Sequence, residues 1–83
     1  MKRQQICSAL QLYASALQLF GFKLLSIIYI EMDSEVDHLI FFVSPTDIFR
    51  ETLKEYLAKQ IKTKKNWYLT DLIRTTHFQE VRP

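Results

Sequence analysis

The stretch Phe22 to Val43, FKLLSIIYIEMDSEVDHLIFFV, constrains the fold more than any other part of the chain. It holds two runs rich in β-branched and aromatic residues, separated by an acidic, turn-like break at Asp33-Ser34-Glu35. That is the pattern of an antiparallel hairpin. Alternate residues of a strand face opposite ways, and a sheet covered on one side usually shows one polar row. Here neither row is polar. Phe22, Leu24, Ile28 and Ile30 oppose Leu25, Ile27 and Tyr29 in the first run, while Val36, Ile40 and Phe42 oppose Leu39, Phe41 and Val43 in the second. Both sides of this ribbon need cover, from this chain or from another.

Residues 1–83 are enough for a single small domain. With 48% hydrophobic residues, six Phe, four Tyr and one Trp, the chain is too apolar for intrinsic disorder and can build a core. Gly21 is its one glycine, which excludes a P-loop or a dinucleotide fingerprint. One cysteine, Cys7, excludes an internal disulfide or a multi-cysteine zinc site. Cys7 reads as a small buried apolar residue, and the absence of paired cysteines fits a reducing, cytoplasmic setting. No pattern requires a cofactor. The net charge of +2 points by itself to neither nucleic acid nor membrane.

Met1 to Phe20 has helical periodicity. Ile6, Leu10, Tyr13, Leu17 and Phe20 form an inward stripe, which Ala9, Leu12, Ala16 and Leu19 widen. Gly21 then stands where a left-handed residue ends a helix. The other face, Gln4, Ser8, Gln11, Ser15 and Gln18, is polar but uncharged. A helix packed on both sides, partly by a protein partner, accounts for this. A membrane-anchored small subunit is an alternative, with Ile6 to Ile30 as the span behind Lys2 and Arg3. Lys23 inside that span and the Gln/Ser stripe weigh against it. Ala14-Ser15-Ala16 has the form of a signal-peptide cleavage site, but the apolar run before it is short and interrupted.

After the hairpin, Ser44-Pro45-Thr46-Asp47 reads as a helix start, with Ser44 capping, Pro45 in the first turn and Asp47 near the positive end. Phe49, Leu53, Tyr56, Leu57 and Ile61 form the inward stripe. Arg50, Glu51, Lys54, Glu55, Lys59 and Lys62 occupy the solvent side, where Glu51 and Glu55 serve as surface ion-pair partners. Asn66 reads as a stop. Trp67 to Ile73 favours a third strand by composition, although Leu69, Leu72 and Ile73 also suit a short helix, and Thr75 to Val81 is strand-like as well. The fold expected is α+β, in the order helix, strand, strand, helix and then a strand, with helices covering an antiparallel hairpin.

Three candidate chemistries follow. Lys59, Lys62, Lys64 and Lys65 run into Trp67 and Tyr68, the pairing of cations and aromatic faces that single-stranded nucleic acid binders use; helix-end cations beside core aromatics are the better account of it. His38 and His77, with Arg74 or a lysine, form an acid–base pair only if folding joins them. Glu31, Asp33, Glu35 and Asp37 resemble a cation loop but lack its glycine, and read as a solvated acidic tip.

The balance favours a non-enzymatic protein-interaction module, without cofactor or metal, that binds itself or another protein chain. Its expected interface is Leu12 and Leu19 on the helix with Leu25, Ile27, Tyr29, Leu39 and Phe41 on the ribbon. A nucleic-acid-binding accessory protein is the alternative.

Overall fold

A computed structural model of the chain describes residues 2–33 and 36–82. They form α1 (Lys2–Leu19), β1 (Leu24–Ile30), β2 (His38–Val43), α2 (Arg50–Lys64), α3 (Trp67–Arg74) and β3 (Thr76–Glu80). The three strands make a mixed sheet ordered β1-β2-β3, in which β1 runs antiparallel and β3 parallel to the central β2. The architecture is α+β, as expected. Met1 and the Ser34-Glu35 centre of the expected turn lie outside the described residues.

The inward stripe of α1 behaves as its spacing dictates. Ala9, Tyr13, Ala16 and Leu17 are buried, and Ile6, Leu10, Leu12 and Phe20 pack at the margin of the core. Leu19 instead faces solvent at 64% exposure, and Cys7, expected inside, is exposed. The end of α1 follows the glycine rule. Gly21 takes a φ of +79°, the Phe22 N–H donates to the Leu17 carbonyl at 2.9 Å, and the Gly21 N–H donates to Gln18 at 3.1 Å. These paired bonds satisfy carbonyls that a helix end would otherwise leave open. The apolar stretch from Ile6 to Ile30 is thus broken into helix, turn and strand. Among the described residues, no helix is long and apolar enough to cross a membrane.

The second helix begins later than its sequence signals imply. Ser44 is committed elsewhere: its hydroxyl accepts the Lys23 N–H at 3.0 Å and its own N–H donates to the Lys23 carbonyl at 2.9 Å. This extends the hairpin instead of starting a helix. Thr46 closes a local turn on the Ile48 N–H at 2.9 Å. The cap position falls to Phe49, which makes no side-chain cap bond and is 76% exposed. Leu53, Leu57 and Ile61 carry the buried stripe.

The strand expected over Trp67 to Ile73 is a helix. Lys65, at a φ of 52°, ends α2, and Asn66, which reads as a stop, is a start instead: its side-chain oxygen accepts the Tyr68 and Leu69 N–H groups at 3.0 and 3.2 Å, an N-cap that offsets the strand-like composition behind it. Tyr68, Leu69 and Leu72 turn inward. β3 then follows at Thr76, within the second strand-like segment.

All three helices contribute to one cluster that packs on the Leu39, Phe41 and Val43 side of β2 and the Phe78 side of β3. Its centre is aromatic. The Tyr13 ring meets Phe41 at 5.3 Å and Phe78 at 5.9 Å edge-on, while Phe41 and Phe78 stack at 5.2 Å. The Tyr13 hydroxyl pairs with that of Thr76 at 3.2 Å, which in turn donates to the Leu72 carbonyl. α1, α3, β2 and β3 are joined at this point.

A methyl group added at Gly21 would meet nothing within 4 Å, so Gly21→Ala isolates the backbone cost of the left-handed turn. It should lower unfolding stability by about 1–2 kcal/mol. Urea titration checks this, and an unchanged midpoint would contradict the assigned helix ending.

Candidate protein-interaction edge

The rim strands of a sheet present backbone N–H and C=O groups that need partners. The rim at β3 is guarded. Arg50 donates to the Phe78 carbonyl and Lys54 to the Thr76 carbonyl, each at 2.9 Å. α2 thus lays two cations along that edge, and partial burial pulls the Lys54 ammonium below its ordinary pKa.

The rim at β1 is the opposite case. All seven residues of β1 are exposed. Leu24, Leu25, Ile27, Ile28, Tyr29 and Ile30 stand 40–48% open to solvent, and no β1 residue belongs to the core cluster. Proline and charge, the usual guards of an edge, are absent from Leu24 to Ile30. An irregularity between Leu24 and Ser26 is confined to the first residues of the strand. From Ser26 onward β1 follows β2 without a break, Ile27 opposite Phe41, Ile28 opposite Ile40 and Tyr29 opposite Leu39.

Those pairings define two rows. Ile27 and Tyr29 share the side of Phe41 and Leu39, where the helices lie. Ile28 and Ile30 share the open side with Ile40 and Phe42, both half-buried. The helical layer covers β2 and β3 and stops short of β1. A groove of about 320 Å³ marks the boundary, lined by Arg3, Ile6 and Cys7 of α1 and by Tyr29 and Glu31.

One buried carboxylate anchors this overhanging strand. Asp37, grouped in the sequence with a solvated acidic tip, is fully buried. Alternation explains the correction, because Asp37 shares a row with Leu39, Phe41 and Val43. Its carboxylate accepts the Tyr29 hydroxyl at 2.5 Å, the Met32 N–H at 2.9 Å and the Tyr68 hydroxyl at 3.3 Å. Its carbonyl accepts the Thr75 hydroxyl at 2.7 Å. The end of β1, the hairpin and α3 are thereby tied to one point. The bond to Asp37, followed by desolvation and the charges of Asp37 and Glu31, raises the Tyr29 pKa from 10.0 to about 12.

The interface expected from sequence divides. Leu25, Ile27 and Tyr29 are exposed on β1, and Leu19 is exposed on α1. Leu12 packs against the core. Leu39 and Phe41 are core residues at 1% exposure, because the helices chose their row. The open row, Ile28, Ile30, Ile40 and Phe42, is what sequence reasoning passed over, since both rows are equally apolar.

The basic stretch divides too. Lys59, Lys62, Lys64 and Lys65 are exposed and Trp67 is 73% exposed, but Tyr68 is buried with its hydroxyl on Asp37, so its ring is unavailable for stacking on a base. His38 and His77 share the open face of the sheet, His77 opposite Ile40, two positions along β2 from His38. No hydrogen bond joins the two imidazoles in the structure. Glu35 lies outside the described residues, and no metal-binding cluster of His, Cys, Asp or Glu occurs among the described residues.

Raised tyrosine pKa values make stability depend on pH. Burial also lifts the Tyr13 pKa to about 12, against the opposing hydrogen bond with Thr76. The folded state favours both protonated phenols, so this stabilisation is complete below the ordinary value of 10.0 and is lost as pH rises towards about 12. Urea unfolding between pH 9 and 12 should show the decline, and Tyr29→Phe should make it shallower. An identical slope in the variant would remove Tyr29 from the anchor.

Comparison with protein-family models, curated proteins and solved structures finds no match to this chain.

Proposed function

We propose that the protein is a non-enzymatic protein-interaction module whose β1 edge pairs with a strand of another protein chain, as a homo-oligomer or as an accessory subunit of a larger complex. The observation that carries this reading is the contrast between the two rims: β3 is closed by Arg50 and Lys54, while β1 is exposed along its whole length. Strand addition satisfies backbone groups and buries side chains on both faces at once. The uncharged outer face of α1 supports the same reading, since charge is depleted where proteins meet. A cytoplasmic setting fits the exposed lone thiol of Cys7.

The test places lysines on the open row. The variant carrying Ile28→Lys and Ile30→Lys alters exposed positions and should change folding stability by no more than about 1 kcal/mol. It should be more soluble than the parent and should be recovered as a lone 9.9 kDa chain. The parent should be recovered in a heavier particle whose mass is unaffected by nuclease. A parent recovered alone, with the variant's solubility, contradicts the proposal. A particle that shrinks with nuclease would move the function to Lys59, Lys62, Lys64, Lys65 and Trp67.

A further inference from the structure

Strand addition at β1 uses nothing of the opposite rim. There Arg50 and Lys54 close β3, and beside them lies a recess of about 200 Å³, lined by Arg50, Glu51 and Lys54 of α2 and by His77, Phe78 and Gln79 of β3. We propose that this recess binds a phosphate group, as the free ion or as the head of a small phosphomonoester. The site lies across the sheet from β1 and stands independently of the interaction reading.

Arg50 and Lys54 are one turn apart on α2, so their side chains leave the helix on one face, about 5–6 Å apart at their bases. Each gives a bond to β3, Arg50 to the Phe78 carbonyl and Lys54 to the Thr76 carbonyl, both at 2.9 Å. A guanidinium has five N–H donors and an ammonium three, so most of both groups stays available beyond the strand. The two carbonyls are themselves two residues apart on β3, about 7 Å. Between them along the rim comes the Phe78 N–H. The Val81 N–H donates to the Val43 carbonyl of β2 at 2.9 Å. By alternation the amides of His77 and Gln79 face β2 as well, and that of Phe78 faces outward. Two cations and a backbone N–H thus share one short stretch of rim, a spacing that a tetrahedral oxyanion bridges with charge-assisted bonds of about 2.8 Å.

Both cations also lack a counter-charge. The ion pairs among the described residues join Arg74 to Asp71 and Arg82 to Glu80, and neither Arg50 nor Lys54 has a carboxylate partner among those residues. The Lys54 ammonium is half-buried, and loss of water without a compensating anion is what lowers its pKa. A phosphate group compensates more fully than a carboxylate, because it brings nearly two negative charges and three acceptor oxygens. His77 and Gln79, both exposed, add side-chain donors from the open face of the sheet. Glu51 is the one acid among the lining residues. Exposed in the first turn of α2, it opposes an anion, and its removal should favour one.

Amide NMR titration with inorganic phosphate, at an ionic strength held constant with chloride, tests the site. The Phe78 amide should shift saturably, with a dissociation constant of about 1 mM or below. Arg50→Gln and Lys54→Gln should each weaken binding about tenfold, with circular dichroism confirming that both variants are folded. Glu51→Gln alters an exposed position and should tighten binding about threefold, a gain that no loss of structure imitates. Methyl phosphate, titrated in parallel, distinguishes the two sources. Tighter binding of the ester supports a phosphomonoester as the occupant, and equal or weaker binding supports the free ion. A Phe78 amide that stays still up to about 20 mM phosphate, far above the expected constant, overturns the proposal. So does a shift no larger than those at Lys62 and Lys64, or an affinity that Glu51→Gln leaves unchanged or that survives both cation variants.

Discussion

The packing of Tyr13 between Phe41 and Phe78 decides which face of the sheet is inside, and the rest of the molecule follows from that choice. Three helices gathered on this trio cover the β2 and β3 rows that share it. Among the described residues, no further element covers the other face or reaches over β1. The sheet is therefore sheltered unevenly. One rim is bound by cations from α2, the other projects beyond the helical layer, and the open face keeps Ile28, Ile30, Ile40 and Phe42 in contact with water.

A strand outside the core still needs something to hold it. Hydrogen bonding to β2 supplies part of this, and Asp37 supplies the rest. A carboxylate without water is costly unless its lone pairs are met, and here two phenols and a backbone N–H meet them. The same group thus fixes the Tyr29 end of β1 to α3, and the strand is presented as a firm edge. A preorganised edge loses less conformational freedom on pairing than a flexible one. The buried polar group and the exposed apolar strand are two halves of one arrangement.

Much of this was legible in the residues themselves. The helix stripe of α1, its end at Gly21, the hairpin runs and the inward face of α2 obey spacing rules that local chemistry enforces. Departures occur where a residue has two competing uses. Ser44 can cap a helix or extend a hairpin, and the Lys23 backbone claims it. Asn66 reads as a helix stop, yet Lys65 ends α2 in the left-handed region and Asn66 begins the next helix. Trp67 and Tyr68 have strand-like composition, yet the Asn66 cap and the inward spacing of Tyr68, Leu69 and Leu72 prevail. The ribbon posed the hardest question, because two equally apolar rows give no sign of which one the helices will take. Leu39 and Phe41 were drawn inside for that reason, while Ile40 and Phe42 stayed out. Asp37 was the available clue: an acid in the same row as Leu39 and Phe41 marks the side where partners for it had to exist.

The central claim is that the outer edge of β1 is where this protein meets another chain, and backbone amide exchange reads that edge most directly. In a lone sheet, only alternate amides from Leu24 to Ile30 face β2, and the others face solvent. Residue-resolved hydrogen exchange should find both sets slowed in the associated protein, with the outward set recovering fast exchange on dilution while β2 stays protected. Outward amides that exchange freely at every concentration, beside a protected β2, would contradict the account.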